Sequence, residues 1–399
     1  MCSANIQPRV LLQYNCIPHY RARVFELLTQ RTDMQFTVVA DPEPDTPYLK
    51  TVRGDEGRSI RAVHARTHMI RFPRFPCLYW QPDAVRIVWR ERPDAVIALG
   101  TPYSITAWML LLTGRILGIP VLLWGHGLLS DERGPKWWLR RVLYRLASGQ
   151  LLYGEYAREL LQRKGFDARS LFVVYNSLDF DLQTRIAAGL NKEKIDTFRR
   201  SLGVKEGEGM VVFTGRLQPV KRLDMLLRAV TILESRGCRI HIALVGDGAE
   251  RENLTRLASE AGIADQVHFL GECYDEHYLG LVVSSSDLAV IPSGAGLSVM
   301  HALVFGTPVL LHDRVEHHFP EWEAVIEGKT GFFYRYGDIH SLADKMERAV
   351  FPVPSKCTMS ATCKSVIDEK YNPHRQVQTF VEAVRKTIGL VPVTHEPAA

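Results

Sequence analysis

Apolar residues run along this chain in short continuous blocks. VLLQYN (10–15), FTVVA (36–40), AVIALG (95–100), VLLWG (121–125), LLYG (151–154) and FVVYN (172–176) are rich in Val, Ile and Leu. Between them, stretches such as YRARVFELLTQR (20–31) and YARELLQRKG (156–165) carry apolar residues at helical spacing. Unbroken apolar strands separated by helices predict a parallel sheet covered on both faces. The pattern pauses over 178–208, which is polar and strand-free, so a first domain is expected over 1–178 and a linker over 179–208. It resumes with MVVFTG (210–215), HIALVG (241–246), VHFLG (267–271), LAVIP (288–292) and PVLLHD (308–313), with helices starting near 221, 249 and 297. This predicts a second domain over 209–372, and the tail predicts a helix over 373–390 that packs back on the first domain. The expected fold class is α/β: two doubly wound, Rossmann-like domains facing across a cleft. Ligands of such sheets bind beyond the carboxyl ends of the strands.

Composition changes this picture little. Apolar residues make up 46% and charged residues 23% of 399 residues, an ordinary globular balance. ITAWMLLLTGRILGIPVLLWG (105–125) has the apolarity of a membrane span, but Arg115 interrupts it and Gly118 and Pro120 divide it into a helix and a strand. The seven cysteines show no CxxC and no paired spacing, so reduced thiols are expected, with neither a disulfide framework nor a zinc site. The first fifteen residues have no positive-then-apolar signal pattern, which points to a cytoplasmic location.

Charge is unevenly distributed. Residues 1–178 hold 24 Lys/Arg against 15 Asp/Glu, a balance of +9, and the remaining 25 against 29 give −4. A basic first half fits an anionic partner, such as a phospholipid surface or a phosphate-bearing substrate, or else an arginine-rich solvated surface. ERGPKWWLRRVLYRLASG (132–149) interleaves Trp137, Trp138 and Tyr144 with Lys136, Arg140, Arg141 and Arg145. It reads either as a helix docking at an anionic membrane or as an amphipathic helix with its aromatics inside. HARTHMIRFPRFPCLYW (64–80) has a similar mix on an expected loop.

The chemistry should lie just after the strands. TGRLQPVKR places Arg216 and Lys221 beside a helix start behind Gly215, a setting suited to a diphosphate or to a solvated basic turn. VGDGAERENL brings Gly246, Asp247 and Gly248, and GECYDEHYL brings Tyr274 as a wall or stacking residue. In IPSGAGLSVMHAL, Gly294 and Gly296 free backbone amides just before a helix, a second anion-binding nest, and His301 follows on that helix. The first strand runs into NCIPHYR, without the glycine-rich turn of a dinucleotide dehydrogenase. DFD (179–181) resembles a metal-binding pair but falls in the expected linker and is read as surface.

In combination and order, FTGRLQPVKRLDMLLRAV, LVGDGAERENL, FLGECYDEHYLGLVVSSSDLAVIPS and GLSVMHALVFGTPVLLHD resemble the nucleotide-binding domain of family 4 retaining glycosyltransferases, which have the GT-B fold. The resemblance covers about residues 209–345. The first domain is similar more loosely, through IPHYRARVFELL, PVLLWGHG and VVYNSLD. The resemblance implies that Arg216 and Lys221 grip the donor diphosphate, with Gly215, Gly246, Asp247, Tyr274, Ser293, Gly294, Ala295, Gly296 and Leu297 around the donor. It implies no metal and no cofactor, because the cations neutralise the leaving group. It places His126 against the sugar, and His19, Tyr20 and Arg21 on an acceptor or phosphate loop; Tyr20 and Arg21 read equally as a helix-start packing pair. Most relatives carry a glutamate pair where spacing here puts Ser293 and His301, so His301 is expected at the ribose.

The implied function is retaining transfer of a sugar from a nucleotide-sugar donor to a glycan or lipid-linked acceptor in cell-surface polysaccharide synthesis. A UDP-sugar is favoured and a GDP-sugar comes next. The alternatives are a sugar-nucleotide epimerase or hydrolase, or a non-catalytic nucleotide-sugar-binding subunit. The expected partners are the donor, the acceptor and a membrane surface at the cytoplasmic face, with no nucleic acid; the oligomeric state is left open.

Overall fold

The computed structural model describes residues 7–44, 50–52, 59–72, 75–351 and 354–390, and Cys2 lies outside them. The chain divides into two compact units, one formed by the segment up to Ser177 together with Pro373 onward, the other by Leu178–Asn372.

The first unit opens with β1 (Arg9–Cys16), α1 (Ala22–Thr29), β2 (Gln35–Asp41) and β3 (Ala62–His64). Next come β4 (His68–Phe72), β5 (Phe75–Trp80), α2 (Pro82–Glu91), β6 (Ala95–Leu99), α3 (Ile105–Leu117) and β7 (Val121–Gly125). It continues with α4 (Gly134–Leu146), β8 (Gly149–Leu152), α5 (Glu155–Arg163) and β9 (Leu171–Val173). Seven parallel strands lie in the order β3-β2-β1-β6-β7-β8-β9. Strand β1 is central, with Val10 opposite Phe36 on one side and Ala95 on the other. Its side chains alternate between two cores: Val10 and Leu12 pack with Phe25 and Trp124, and Leu11 packs with Val88, Leu110 and Leu123. Each such buried side chain contributes roughly 1.5–3 kcal/mol. Residues 64–80, expected as loop, contain an antiparallel β4–β5 ribbon in which Ile70 faces Leu78. The strand assigned to 151–154 starts two residues earlier, because Gly149 and Gln150 are buried and paired with β7. Segment 105–125 divides into α3 and β7, and among the described residues no helix is long and apolar enough to cross a membrane.

The second unit takes in the whole stretch read as linker. Residues 179–208 contain α6 (Phe180–Gly189) and α7 (Lys192–Ser201), capped by the Asp179 and Asn191 side chains. Asp179, half of the DFD pair, is therefore a helix cap. The unit continues with β10 (Gly209–Thr214), α8 (Leu223–Ser235), β11 (Ile240–Val245), α9 (Arg251–Glu260) and β12 (Val267–Gly271). It ends with α10 (Glu276–Ser285), β13 (Leu288–Val290), α11 (Leu297–Val304), β14 (Val309–His312), β15 (Gly331–Tyr334), α12 (Ile339–Val350) and α13 (Lys356–Glu369). Helices α6 and α7 lie on α10: Phe198 meets Tyr278 edge-on at 6.0 Å, and Arg199 pairs with Asp287 at 3.1 Å. The apolar stripe is narrow, with few residues such as Ile186 and Phe198 among many charges, which is why the segment reads as linker. Six parallel strands run β12-β11-β10-β13-β14-β15.

The last helix, α14 (Pro373–Thr387), belongs to the first unit and rests on α1, β8 and β9, with Phe380 edge-on to Trp124 at 4.9 Å. In the second sheet the chain reverses its direction of travel between β10 and β13. Loops diverge there, leaving the crevice in which doubly wound sheets hold ligands.

Candidate functional site

Two glycine-bearing loops meet after β10 and β11. Gly215 and Gly246 both take positive φ, +143° and +141°. Gly215 donates its amide to the Val245 carbonyl at 2.9 Å, and Leu217 donates to Asp247 at 2.9 Å. A Cβ at Gly246 would stand 2.0 Å from the Gly215 carbonyl oxygen, so only glycine lets the loops close to this distance. Asp247 turns its carboxylate onto its own loop, accepting from the Gly248 amide at 2.7 Å and pairing with Arg251 at 3.1 Å. Tyr274 is exposed, and its hydroxyl bonds the Glu272 carboxylate.

Across the β10/β13 crevice, Lys221 donates from Nζ to the Gly294 carbonyl at 2.6 Å. Burial first, and the charge of Arg216 second, lower the pKa of its ammonium. Two cations thus share the mouth of the crevice beside the start of α11. An anion placed between them relieves their repulsion and meets the helix amides as well.

The loop 292–296 is held from behind by residues that sequence reading missed. Tyr334 donates its hydroxyl to the Pro292 carbonyl at 2.8 Å. Buried His318 accepts the Ala295 amide on Nδ1 at 3.1 Å and makes its Nε2 bond to the His312 carbonyl at 3.1 Å. A carbonyl only accepts, so the His318 proton sits on Nε2 and Nδ1 is free to accept. The ring stacks on His312 at 4.0 Å, and burial pushes the two imidazoles down to about 4 and about 3. Ala295, expected among the amides facing a ligand, therefore directs its N–H inward. Its carbonyl accepts from the Phe319 amide at 2.8 Å, and its side chain is fully buried. Gly296 and Leu297 start α11, and Ser293 and Gly294 (φ +61°) form the outer turn. The sequence signal for the support was the histidine-rich VEHHF after β14, which no motif claimed.

His301, on the second turn of α11, makes its Nε2 contact with Glu276 Oε1 at 3.2 Å. Glu276 Oε2 accepts from Gln183 Nε2 at 3.1 Å. Glu276 lies 25 residues before His301 and Gln183 in the expected linker, so no local pattern connects the three.

In the first unit, a recess of about 470 Å³ opens after β6 and β7, lined by Tyr14, Tyr79, Tyr103, His126, Lys136 and Arg140, among others. His126 is an exposed residue lining this recess, with the Tyr153 ring 4.9 Å from its own. The protein packed around it, then the charges of Arg21 and Arg140, push its imidazole down to about 4. His19 reaches the Lys50 carbonyl through Nδ1 at 3.2 Å. Arg21 is only 4% exposed, its guanidinium over the rings of Trp124 (4.8 Å), Tyr153 (4.9 Å), Tyr20 (5.6 Å) and Tyr14 (5.7 Å). Its charge is held inside an aromatic cluster, the geometry of a packing residue.

The helix in 132–149 turns most of its aromatic face inward. Tyr144 is buried, Trp137 packs on Phe166 and under Lys164, and Arg140 pairs with Glu132 at 2.9 Å. Trp138, 65% exposed, is its large apolar residue at the surface. The neighbouring α3 instead presents Met109, Leu112 and Ile116 to solvent at helical spacing.

Two family models match the chain: Glycosyltransferase Family 4 over residues 25–182, and Glycosyl transferases group 1 over residues 194–350. The D-inositol 3-phosphate glycosyltransferase of Thermomonospora curvata is 34% identical over 168 residues, 39% of this chain and 38% of the relative. The chain thus spans about two fifths of the length of that curated relative. Among solved structures, Anabaena HepE in complex with UDP superposes with a TM-score of 0.72 at 18% identity, covering 95% of this chain and 100% of that one. Sucrose-phosphate synthase from Thermosynechococcus elongatus gives 0.71 at 16% identity, with 96% and 100% covered. With both units matched by their family models and the two-sheet architecture shared, the chain belongs to the family 4 glycosyltransferases of the GT-B fold.

Proposed function

We propose that this protein transfers a sugar from a nucleotide-sugar donor, a UDP-sugar before a GDP-sugar, to a glycan or lipid-linked acceptor with retention of anomeric configuration. The observation that carries this reading is the Lys221–Gly294 contact, with Arg216 beside it, at the switch point of the second sheet. Two cations and a helix start provide three sources of positive potential for a diphosphate. The preference for uridine draws on HepE, solved with UDP and with UDP-glucose.

In the proposed step the bond from the anomeric carbon to the diphosphate oxygen breaks, and the acceptor hydroxyl forms the new bond on the same face. The hydroxyl proton passes to the departing phosphate. Arg216 and Lys221 hold the charge that develops there, the role that a divalent metal would otherwise fill. No carboxylate base on the donor loop is needed, consistent with Ser293 and His301 at the positions where relatives carry glutamates. The recess of the first unit, walled by tyrosines and His126, supports acceptor binding there, since tyrosine faces and hydroxyls suit sugar rings. The exposed apolar stripe of α3, within a basic first half, supports a lipid-linked acceptor reached from a cytoplasmic membrane face, as polysaccharide synthesis requires.

The test is release of nucleoside diphosphate from a panel of UDP- and GDP-sugars, with and without lipid-linked acceptors, in the presence of a chelator. Release that depends on acceptor and survives chelation is expected. Turnover without acceptor would make the protein an epimerase or hydrolase, and binding without any turnover would make it a binding subunit.

A further inference from the structure

Within the nucleotide-sugar reading above, on which this step rests, we propose that Glu276 is a positioning residue. It fixes the tautomer of His301, so that Nδ1 becomes an acceptor for a ribose hydroxyl. Glu276 is the first residue of α10, where the helix start favours a negative side chain. One carboxylate oxygen faces His301 Nε2 at 3.2 Å and the other accepts from the Gln183 amide at 3.1 Å. A carboxylate can only accept, so the proton of the neutral imidazole lies on Nε2 and the lone pair is left on Nδ1. The side chains of His301 and Glu276 are 18% and 24% exposed, so ring and carboxylate are shielded but reachable, and Gln183 is buried.

This arrangement preserves a polarity. A glutamate at position 301 would offer lone pairs to a hydroxyl; the Glu276–His301 pair offers one lone pair with the carboxylate a step behind it. The location fits the same ligand group. Lys221 and the 294–297 turn place the diphosphate at the start of α11, and His301 lies four residues along, about 6 Å of helix axis. The ribose is the first group attached to the diphosphate on the nucleoside side. The helix α6 thereby takes part in the site through Gln183, although it lies in a stretch without any motif.

A carboxylate that merely ties α10 to α11 would lower stability on removal without changing which hydroxyl the ligand needs. The experiment therefore measures Kd for UDP and GDP, each beside its 2′-deoxy and 3′-deoxy counterparts, by calorimetry. Wild type, Glu276→Leu, Gln183→Leu and His301→Ala are compared, with Tm recorded for each. Wild type is expected to bind one deoxy form about tenfold more weakly than its parent, the worth of one lost hydrogen bond. In Glu276→Leu and His301→Ala that ratio should fall toward one, and in Gln183→Leu it should fall by at least half. If either Glu276→Leu or Gln183→Leu is unfolded, the other decides. A ratio near one in wild type, or a ratio unchanged in the folded variants, overturns the assignment. Failure of wild type to bind either diphosphate overturns the nucleotide-sugar reading instead.

Discussion

The ammonium of Lys221 is bonded to the carbonyl of Gly294 at 2.6 Å, joining two loops 73 residues apart in sequence. This contact closes the β10/β13 crevice from one side and holds the charge where α11 begins. The charge is partly desolvated and has Arg216 as its electrostatic neighbour. A diphosphate bound as proposed would meet cations that are already positioned, which is the requirement for stabilising charge as it develops.

Lys221→Met and Arg216→Ala should each lower kcat/KM by about 10²–10³, the usual cost of removing one charge-stabilising donor. Both kcat and the donor KM should change, because both ground state and transition state carry diphosphate charge. Tm should move little, since the part-buried hydrogen bond lost with Lys221 contributes about 1 kcal/mol and Arg216 is exposed. Steady-state kinetics with a calorimetric scan checks both. A wild-type kcat in either variant removes that residue from the chemistry.

His301→Ala should raise the donor KM about tenfold and leave kcat within a few-fold. A hydrogen bond to a group remote from the breaking bond is made equally in ground and transition states. An unchanged donor KM would show that the histidine serves only the contact with Glu276.

How much of this was legible in the sequence follows from the range of each interaction. The strands were legible because continuous runs such as MVVFTG and HIALVG have one physical explanation, burial on both faces. That Gly215, Lys221 and the 293–297 turn gather at one crevice was legible because strand-end loops lie within ten residues of their strands. Glu276, Gln183 and His318 were not, since each reaches the site from another element and local pattern holds no record of it. The helices of 179–208 and the covered face of 132–149 were not legible, because amphipathic segments show which residues are apolar, not which partner covers them. Helices α6 and α7 find α10, and Trp137 finds Phe166.

Gly246→Ala should destabilise the second unit by about 3 kcal/mol. A methyl group would collide with the Gly215 carbonyl, and the φ of +141° is strained for any side chain. A drop in Tm on the order of 10 °C is expected. Gly215→Ala is the matched control: its φ is +143°, and the nearest atom to the added carbon is a Phe213 ring carbon at an ordinary 3.4 Å. It carries the strain without the collision and should lose distinctly less. Equal losses would refute the close-approach argument.

Stability should fall as pH drops below neutrality, partly through His318. Its folded-state pKa is about 4, depressed from 6.5 by burial, and stacked His312 shifts the same way. Above 6.5 the ring is neutral in both states and stability is fully present. Between 6.5 and 4 the unfolded chain takes up the proton first, so stability is lost progressively through that window. For His318 the loss is on the order of 3 kcal/mol. Urea unfolding from pH 7.5 to 4.5 should show this decline, and His318→Asn should flatten it while retaining an acceptor for the Ala295 amide. An equal slope in the variant would assign the decline to other groups.

Membrane attachment, if it occurs through the first unit, should depend on α3 more than on the tryptophan-bearing helix after Pro135. Met109, Leu112 and Ile116 are 38%, 46% and 71% exposed and follow one stripe of α3, with Arg115 exposed beside Ile116. Such a stripe can enter the headgroup boundary while the arginine remains at the anionic surface. On α4, Trp138 offers one exposed ring and Trp137 is already covered. In sedimentation with vesicles containing phosphatidylglycerol, the double variant Leu112→Asp/Ile116→Asp should lose most binding, and Trp138→Ala should retain the larger part. Both substitutions replace exposed side chains, so Tm should stay near that of wild type and a lost signal reads as lost docking. The opposite ranking would return the docking face to α4, and no binding by wild type would separate the exposed stripe from lipid altogether.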